Sequence, residues 1–136
     1  MRRCINEMSI LHRTSLAAVA ALLLCGCGEG THYSAPVKPD VARQTLELTL
    51  KEWQSGSKVD ALRGHTPEIV VQDLDWNAGT KLLAFEVLGD GEAIDANLYA
   101  KVKLTLQAAD GKEVEKTVTY CVGTSPVLTV FRDPTR

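Results

Sequence analysis

The sequence predicts an α+β domain in which an N-terminal helix, followed by a short helix, packs on a curved antiparallel sheet of about five strands. Apolar residues recur at helical spacing over residues 40–56, whereas the spacing changes to two after Pro67. The links between the later segments are short, which favours antiparallel neighbours. Because the helices precede the strands, we expect the helix to cover one face of the sheet.

Composition and charge are those of an ordinary globular protein. The 136 residues carry a formal net charge of -2, with 45% hydrophobic and 24% charged residues. This length allows one domain. A nucleic-acid-binding protein usually carries a basic stripe, and the sequence has none. We therefore expect no nucleic-acid partner.

Residues 1–26 are predicted to be a signal peptide for export. Arginine and histidine residues precede an uninterrupted apolar run from Leu16 to Leu24, and small residues follow it. This run is too short for a transmembrane helix, which needs roughly 20 apolar residues. Translation could start at Met1 or Met8, since either start keeps every part of the signal.

The end of this signal, Leu24–Cys25–Gly26–Cys27, resembles the lipobox of bacterial lipoproteins. The resemblance implies a diacylglyceryl thioether on Cys27, cleavage before this residue, and acylation of the new amino terminus, for example with palmitate. The chain would then be exported and lipid-anchored at the cell membrane or the outer membrane. The alternatives are simple secretion with cleavage elsewhere and a Cys25–Cys27 metal pair, for which the sequence offers no completing Cys/His cluster.

The rest of the chain divides into a tether and one domain. Residues 27–39 contain the lipidated cysteine and a segment of Gly, Ser, Thr and Pro that is predicted to be flexible. Residues 40–136 are the predicted domain. After the signal, 12 basic and 16 acidic residues give a net charge of -4, and Cys121 is the only cysteine besides Cys27. The domain therefore depends on its core and not on an internal disulfide.

The first helix is predicted from four apolar residues spaced by four, four and three, which are Ala42, Leu46, Leu50 and Trp53. Asp40 is the expected N-cap, and Gly56 ends the helix. Trp53 lies on the apolar face and is interpreted as a core residue. A short helical turn follows at residues 57–64 and ends at Gly64.

Five segments alternate in polarity and predict the strands, at residues 68–76, 81–89, 98–108, 112–122 and 127–132. Between the third and fourth strands, a three-residue loop ending at Gly111 pairs Ala108 with Lys112. This register places Val102 opposite Val118 and leaves Cys121 on the polar face, where we expect partial exposure. A register shifted by one residue would oppose apolar to polar residues.

Lys116 is the exception on the apolar face of the fourth strand. All other apolar-face residues of this strand pair can pack against the helix. We interpret Lys116 as a lysine that extends its ammonium group to solvent near the end of the sheet.

With its long helix, short helix and strand meander, the region from residue 40 to 132 resembles the nuclear-transport-factor-2-like, or cystatin-like, α+β group. The segments "DALRG", "DLDW", "GTKLLAFEVLG" and "TYCVGTSPVLTVFR" are also similar to small envelope lipoproteins of bacteria with no assigned role. Members of the fold group include isomerases, dehydratases and many non-catalytic binding modules. The third long helix of many members is not evident in this sequence, which argues against a deep pocket.

The resemblance implies that any catalytic Asp, His or Tyr would lie in a cone between helix and sheet. The candidates are His65, Asp73, Asp75, Glu86, Tyr99 and Tyr120. A carboxylate acts as a general base when apolar surroundings raise its pKa, and Asp75 beside Trp76 is the nearest match. The favoured interpretation is that Asp73 and Asp75 lie on the solvent face of an amphipathic strand, and that His65 is a loop residue.

Two further motifs are interpreted as structural. "GDGEA" at residues 89–93 is predicted to be a turn, because no G-x-G-x-x-G is completed. Asp90, Glu92 and Asp95 could bind Ca²⁺, but they lack EF-hand spacing. The sequence therefore predicts no catalytic residue, cofactor or metal site.

Three functions fit these observations. The first is a lipid-anchored, non-catalytic module that binds an envelope protein or a second copy of itself. The second is a small isomerase or dehydratase that uses a pocket between helix and sheet. The third is a structural or assembly factor for other envelope proteins. A buried, unpaired carboxylate in a deep pocket would favour the enzyme, whereas an interior filled by Leu and Val would favour the binding module.

Overall fold

The computed structural model describes residues 34–136, which belong to a single unit of the chain. The predicted signal peptide and Cys27 lie outside the described residues. A helix, α1, spans Pro39–Gln54, and a 3₁₀ helix spans Val59–Gly64. The remaining elements are β1 (Ile69–Gln72), the one-turn helix α2 (Leu74–Asn77), β2 (Lys81–Ile94), β3 (Asn97–Gln107), β4 (Glu113–Gly123) and β5 (Leu128–Asp133).

The five strands form one mixed sheet in the order β1-β5-β4-β3-β2, and α1 packs on it, so the α+β class is confirmed. Strands β2 to β5 are the predicted antiparallel meander. The sheet differs from the all-antiparallel prediction at β1, which pairs in parallel with β5. Helix α2 separates β1 from β2, so these two strands do not form a hairpin. Within residues 34–136, no helix is long and apolar enough to span a membrane.

The two edge strands of the sheet are joined by a short link. Strands β1 and β2 lie at opposite edges, and only residues 73–80 connect them. A flat sheet of this width would separate its outermost strands by about 19 Å, which a link containing a helical turn barely spans. Register shifts between Leu82 and Ala84 and between Leu88 and Glu92 bend β2 further.

The predicted register of β3 and β4 is confirmed. Val102 lies opposite Val118, and Ala100 lies opposite Tyr120. The loop closes with the amide of Ala108 donating to the carbonyl oxygen of Lys112 at 2.9 Å. Gly111 has a φ of 82°, the left-handed conformation that this loop requires.

The start of α1 differs from the prediction. Lys38 is the N-cap and uses no side-chain hydrogen bond, so the expectation that Asp40 caps the helix was wrong. Pro39 is the first helical residue, a position where its missing N–H costs nothing. Asp40 instead lies in the first turn, where its negative charge interacts favourably with the positive end of the helix dipole.

The end of the predicted tether is part of the fold. The amide of Val37 donates to the carbonyl oxygen of Asp95 at 3.0 Å, and the amide of Lys38 donates to Oγ1 of Thr124 at 3.1 Å. Val37 also packs against the core. The boundary predicted at residue 40 therefore lies a few residues too late.

The apolar face of α1 is confirmed. The helix ends at Gln54 with Ser55 as its C-cap, and Gly56 follows with a φ of 89°. The core between α1 and the sheet consists of buried aliphatic and aromatic side chains. The fully buried large residues include Leu46, Leu50, Leu62, Leu98, Val102, Leu104, Tyr120, Val122 and Val130.

Side chains of helix α1 also bond to β2, an edge strand of the sheet, and to the residue before it. The indole Nε1 of Trp53 donates to the carbonyl oxygen of Thr80 at 2.8 Å, and Nε2 of Gln54 donates to that of Leu83 at 2.8 Å. Arg43 Nη1 donates to the carbonyl oxygen of Gly89 at 2.6 Å. The carbonyl groups of Leu83 and Gly89 belong to β2, an edge strand, and these bonds satisfy them within the protein.

Replacing Trp53 with alanine should lower the free energy of unfolding by about 3–5 kcal/mol, because a buried aromatic ring leaves a cavity. Trp53 is 3% exposed. Leu48→Ala on the same helix is the matched control, since Leu48 is 38% exposed, and it should cost less than about 1 kcal/mol. Urea denaturation measures both values. Equal small losses in the two variants would contradict the assigned packing face.

Candidate functional site

Asp73 begins helix α2 and is the only buried charged residue within residues 34–136, at 1% exposure. Its Oδ1 accepts hydrogen bonds from the backbone amides of Asp75 at 2.9 Å and Trp76 at 3.1 Å, the arrangement of an N-cap. Its Oδ2 accepts from the Tyr120 hydroxyl at 2.6 Å and from Arg132 Nη2 at 2.7 Å. Both carboxylate oxygens are therefore fully used.

Asp75 forms the outer half of the same network. Its Oδ2 accepts from Lys116 Nζ at 2.6 Å and from Arg132 Nη1. Partial burial by itself raises the pKa of Asp75, but the hydrogen bonds and charges of Lys116 and Arg132 outweigh it and hold the pKa below its ordinary value. The carboxylate therefore stays ionised and paired. We call these five side chains the Asp73 network: Asp73, Asp75, Lys116, Tyr120 and Arg132.

Tyr120 and Arg132 keep their protons in this network. Burial, followed by the negative charge of Asp73, raises the pKa of the Tyr120 hydroxyl. Burial by itself lowers the pKa of Arg132, but its hydrogen bonds with Asp75 and Tyr120 raise it overall. Neither group can act as a base near neutral pH. Within the described part of the chain, Arg132 Nε is the one buried side-chain polar atom that lacks a hydrogen-bond partner.

The interpretation of Asp73 and Asp75 as solvent-face strand residues was wrong. The first strand ends at Gln72 and not at residue 76, because the Asp73 carboxylate satisfies two amides and starts a helical turn. The exposed side chain is Leu74, at 76%. An aspartate followed two residues later by a second acidic residue is a typical helix start, and this signal was present in the sequence.

Lys116 does not extend freely to solvent as expected. It lies on the α1 face of β4 and pairs with Asp75 across 41 positions of sequence. Sequence alternation correctly placed it on the apolar face, but its partner comes from the loop after β1. A long-range pair of this kind leaves no local pattern.

The other candidates do not join the Asp73 network. His65 lies half-buried after the 3₁₀ helix, where its amide donates to the carbonyl oxygen of Leu62 at 3.2 Å. Glu86 and Tyr99 point to the opposite face of the sheet, in register with Lys103 and Cys121. The structure thus unites Asp73, Asp75 and Tyr120 and separates the remaining three candidates.

The glycine-rich segment at residues 89–93 and the acidic residues near it form neither the predicted turn nor a group of converging ligands. "GDGEA" is not a turn but part of β2, and the turn follows at Asp95, with a φ of 51°. Asp90 lies 3.9 Å from Arg43, and Glu92 lies 3.8 Å from Arg136. Among residues 34–136, no three acidic, His or Cys side chains converge as metal ligands would.

The face of the sheet opposite α1 is partly open. Cys121 is half-buried there, which confirms its predicted partial exposure. Hydrogen bonding with Cys121 raises the pKa of Tyr99. The guanidinium of Arg136 lies 4.2 Å from the centre of the Tyr99 ring, a cation–π contact. Phe131 adds an apolar side chain that is 36% exposed.

A cleft of about 580 Å³ lies at the C-terminal end of α1, and we call it the tryptophan cleft. The rings of Trp53 and Trp76 stack beside it, with centroids 5.4 Å apart and planes at 8°. Their indole N–H groups donate to the carbonyl oxygens of Thr80 at 2.8 Å and Ser57 at 2.9 Å. Trp53 was expected in the core, but no sequence signal indicated the cleft or the stacking partner.

Comparisons with protein-family models, curated proteins and solved structures found no match to the chain. The fold and the site geometry define an α+β domain with a mixed five-stranded sheet, the Asp73 network and the tryptophan cleft. The lipoprotein and fold-group resemblances stay predictions.

Replacing Asp75 with asparagine should lower the free energy of unfolding by about 1–3 kcal/mol at pH 7, because two charge-assisted hydrogen bonds are weakened. The folded-state pKa of Asp75 is lowered. This contribution is therefore complete above the unfolded pKa of about 3.9 and is lost as the pH falls through the lower folded value.

Urea denaturation of both proteins between pH 7 and pH 3 tests this pH dependence. The difference in stability should shrink below about pH 4. Asp60→Asn is the matched control, because Asp60 is exposed, and it should change stability by less than about 0.5 kcal/mol. The parent and Asp75→Asn could instead differ in free energy of unfolding by the same amount at pH 7 and pH 3. That result would contradict the role assigned to Asp75 in the Asp73 network.

Proposed function

We propose that this protein is a lipid-anchored lipoprotein of a bacterial envelope and that its domain is a non-catalytic binding or interaction module. Support for the anchor comes from the lipobox at residues 24–27, with Cys27 as the acylated residue. The protein would be exported and held at the cell membrane or the outer membrane. Its partner is an envelope component or a second copy of the chain, and not a nucleic acid.

The state of Asp73 is the observation that carries the non-catalytic proposal. A general base needs a free lone pair and a path to substrate. Asp73 is buried, and its two oxygens accept four hydrogen bonds from within the fold. Its role in this arrangement is to connect helix α2 to β4 and β5.

The alternative is a small enzyme of isomerase or dehydratase type with a pocket between helix and sheet. Such an enzyme would use an acidic or phenolic group in that space. Leucine and valine side chains fill the interior between α1 and the sheet, and the phenol there, Tyr120, donates to Asp73. These contacts favour the binding module over the enzyme.

Replacing Cys27 with serine should abolish lipidation, because serine cannot form the thioether. We expect an uncleaved precursor or a soluble product in place of the mature lipidated form. Detergent-phase partitioning together with intact mass measures the outcome. Cys25→Ser is the matched control and should keep both the lipid and the parent's mature mass. Retention of that mass and partitioning in Cys27→Ser would contradict the proposed anchor.

A further inference from the structure

The tryptophan cleft presents polar groups that the fold does not use. Lys58, Asp60, Asn77 and Lys81 line it, and all four are exposed. In the part of the chain that the structure describes, their side chains have no hydrogen-bond or ion-pair partner. Gln54, by contrast, is held by the carbonyl oxygen of Leu83. The cleft thus has donors that remain free for a ligand.

The charge of the cleft is opposite to that of the domain. Its lining contains two lysines, Lys58 and Lys81, and one acidic residue, Asp60. Across residues 34–136, by contrast, 15 acidic residues outnumber 12 basic ones. A positive site on an acidic surface attracts and selects anions. Lysine ammonium groups suit carboxylates and phosphates as compact point charges.

The inner wall of the cleft is apolar. Trp53 and Trp76 lie behind this wall, where they are almost fully buried and both indole N–H groups are bonded within the protein. The half-buried side chains of Val59 and Leu83 line the accessible part of this wall. A volume of about 580 Å³ is within the range of small-molecule sites. The site therefore suits a molecule with an apolar ring or chain and one anionic group.

We propose that the tryptophan cleft binds a small organic anion, with its apolar part against Val59 and Leu83 and its carboxylate or phosphate held by Lys58 and Lys81. Asn77 is placed to bond a further polar group of the ligand. This inference rests on the proposed function, because it names the ligand class of a domain that binds and does not catalyse.

Pyridoxal 5′-phosphate is a suitable probe, since it combines a flat ring, a phosphate and an aldehyde that condenses with lysine amines. The full chain in detergent is treated with the probe and borohydride, and the modified lysines are mapped by mass spectrometry. Lys58 or Lys81 should be modified about fivefold faster than exposed Lys101, with a rate that saturates. Pyridoxal, which lacks the phosphate, should show no such preference.

Matched variants separate the site from general lysine reactivity. Replacing either Lys58 or Lys81 with glutamine should lower modification of the other about fivefold. The replaced lysine can no longer hold the phosphate of the probe while the other lysine condenses with its aldehyde. Lys101→Gln should leave both unchanged. Modification that follows exposure alone, or an equal preference with pyridoxal, would overturn the anion site. The proposed anchor is tested separately through Cys27, so the two failures are distinguishable.

Discussion

The buried carboxylate of Asp73 joins β1 and helix α2 to β4 and β5, in addition to the short ladder between β1 and β5. It stops β1, starts α2, and binds Tyr120 on β4 and Arg132 on β5. Strand β1 has only four residues and a single neighbour, so its own ladder is short. A charge buried to this extent is tolerated only when it is paired and hydrogen-bonded, and here it has four partners. The Asp73 network therefore holds the end of β1 against strands β4 and β5.

The tryptophan cleft depends on the same carboxylate. Asp73 holds the amide of Trp76, and this residue then stacks on Trp53 of α1. Helix α2 thus carries both Asp75 of the Asp73 network and Trp76 of the stacked pair. Residues 73–80 also carry the chain from one edge of the sheet to the other. This short link also lines part of the tryptophan cleft, through Trp76, Asn77, Gly79 and Thr80.

Patterns of local origin could be predicted from the sequence. The apolar face of α1 and the register of β3 with β4 depend on residue spacing and on one glycine loop, and both are confirmed. Two contacts could not be predicted in this way: the parallel pairing of β1 with β5 and the ion pair of Lys116 with Asp75. In each, the two partners are far apart in sequence. Asp73 was misassigned for another reason, since a charged residue in an alternating segment has the pattern of a solvent-facing strand position.

A double-mutant cycle between Asp73 and Tyr120 tests most directly whether this carboxylate acts as a structural connector. Asp73→Asn and Tyr120→Phe each change few atoms, and chemical denaturation gives the free energy of unfolding for the four proteins. The hydrogen bond of 2.6 Å between the two side chains predicts strong coupling. Groups within one buried network couple by about 0.5–3 kcal/mol, and we expect a value above about 1 kcal/mol. Losses that simply add, with no coupling energy, would contradict the account.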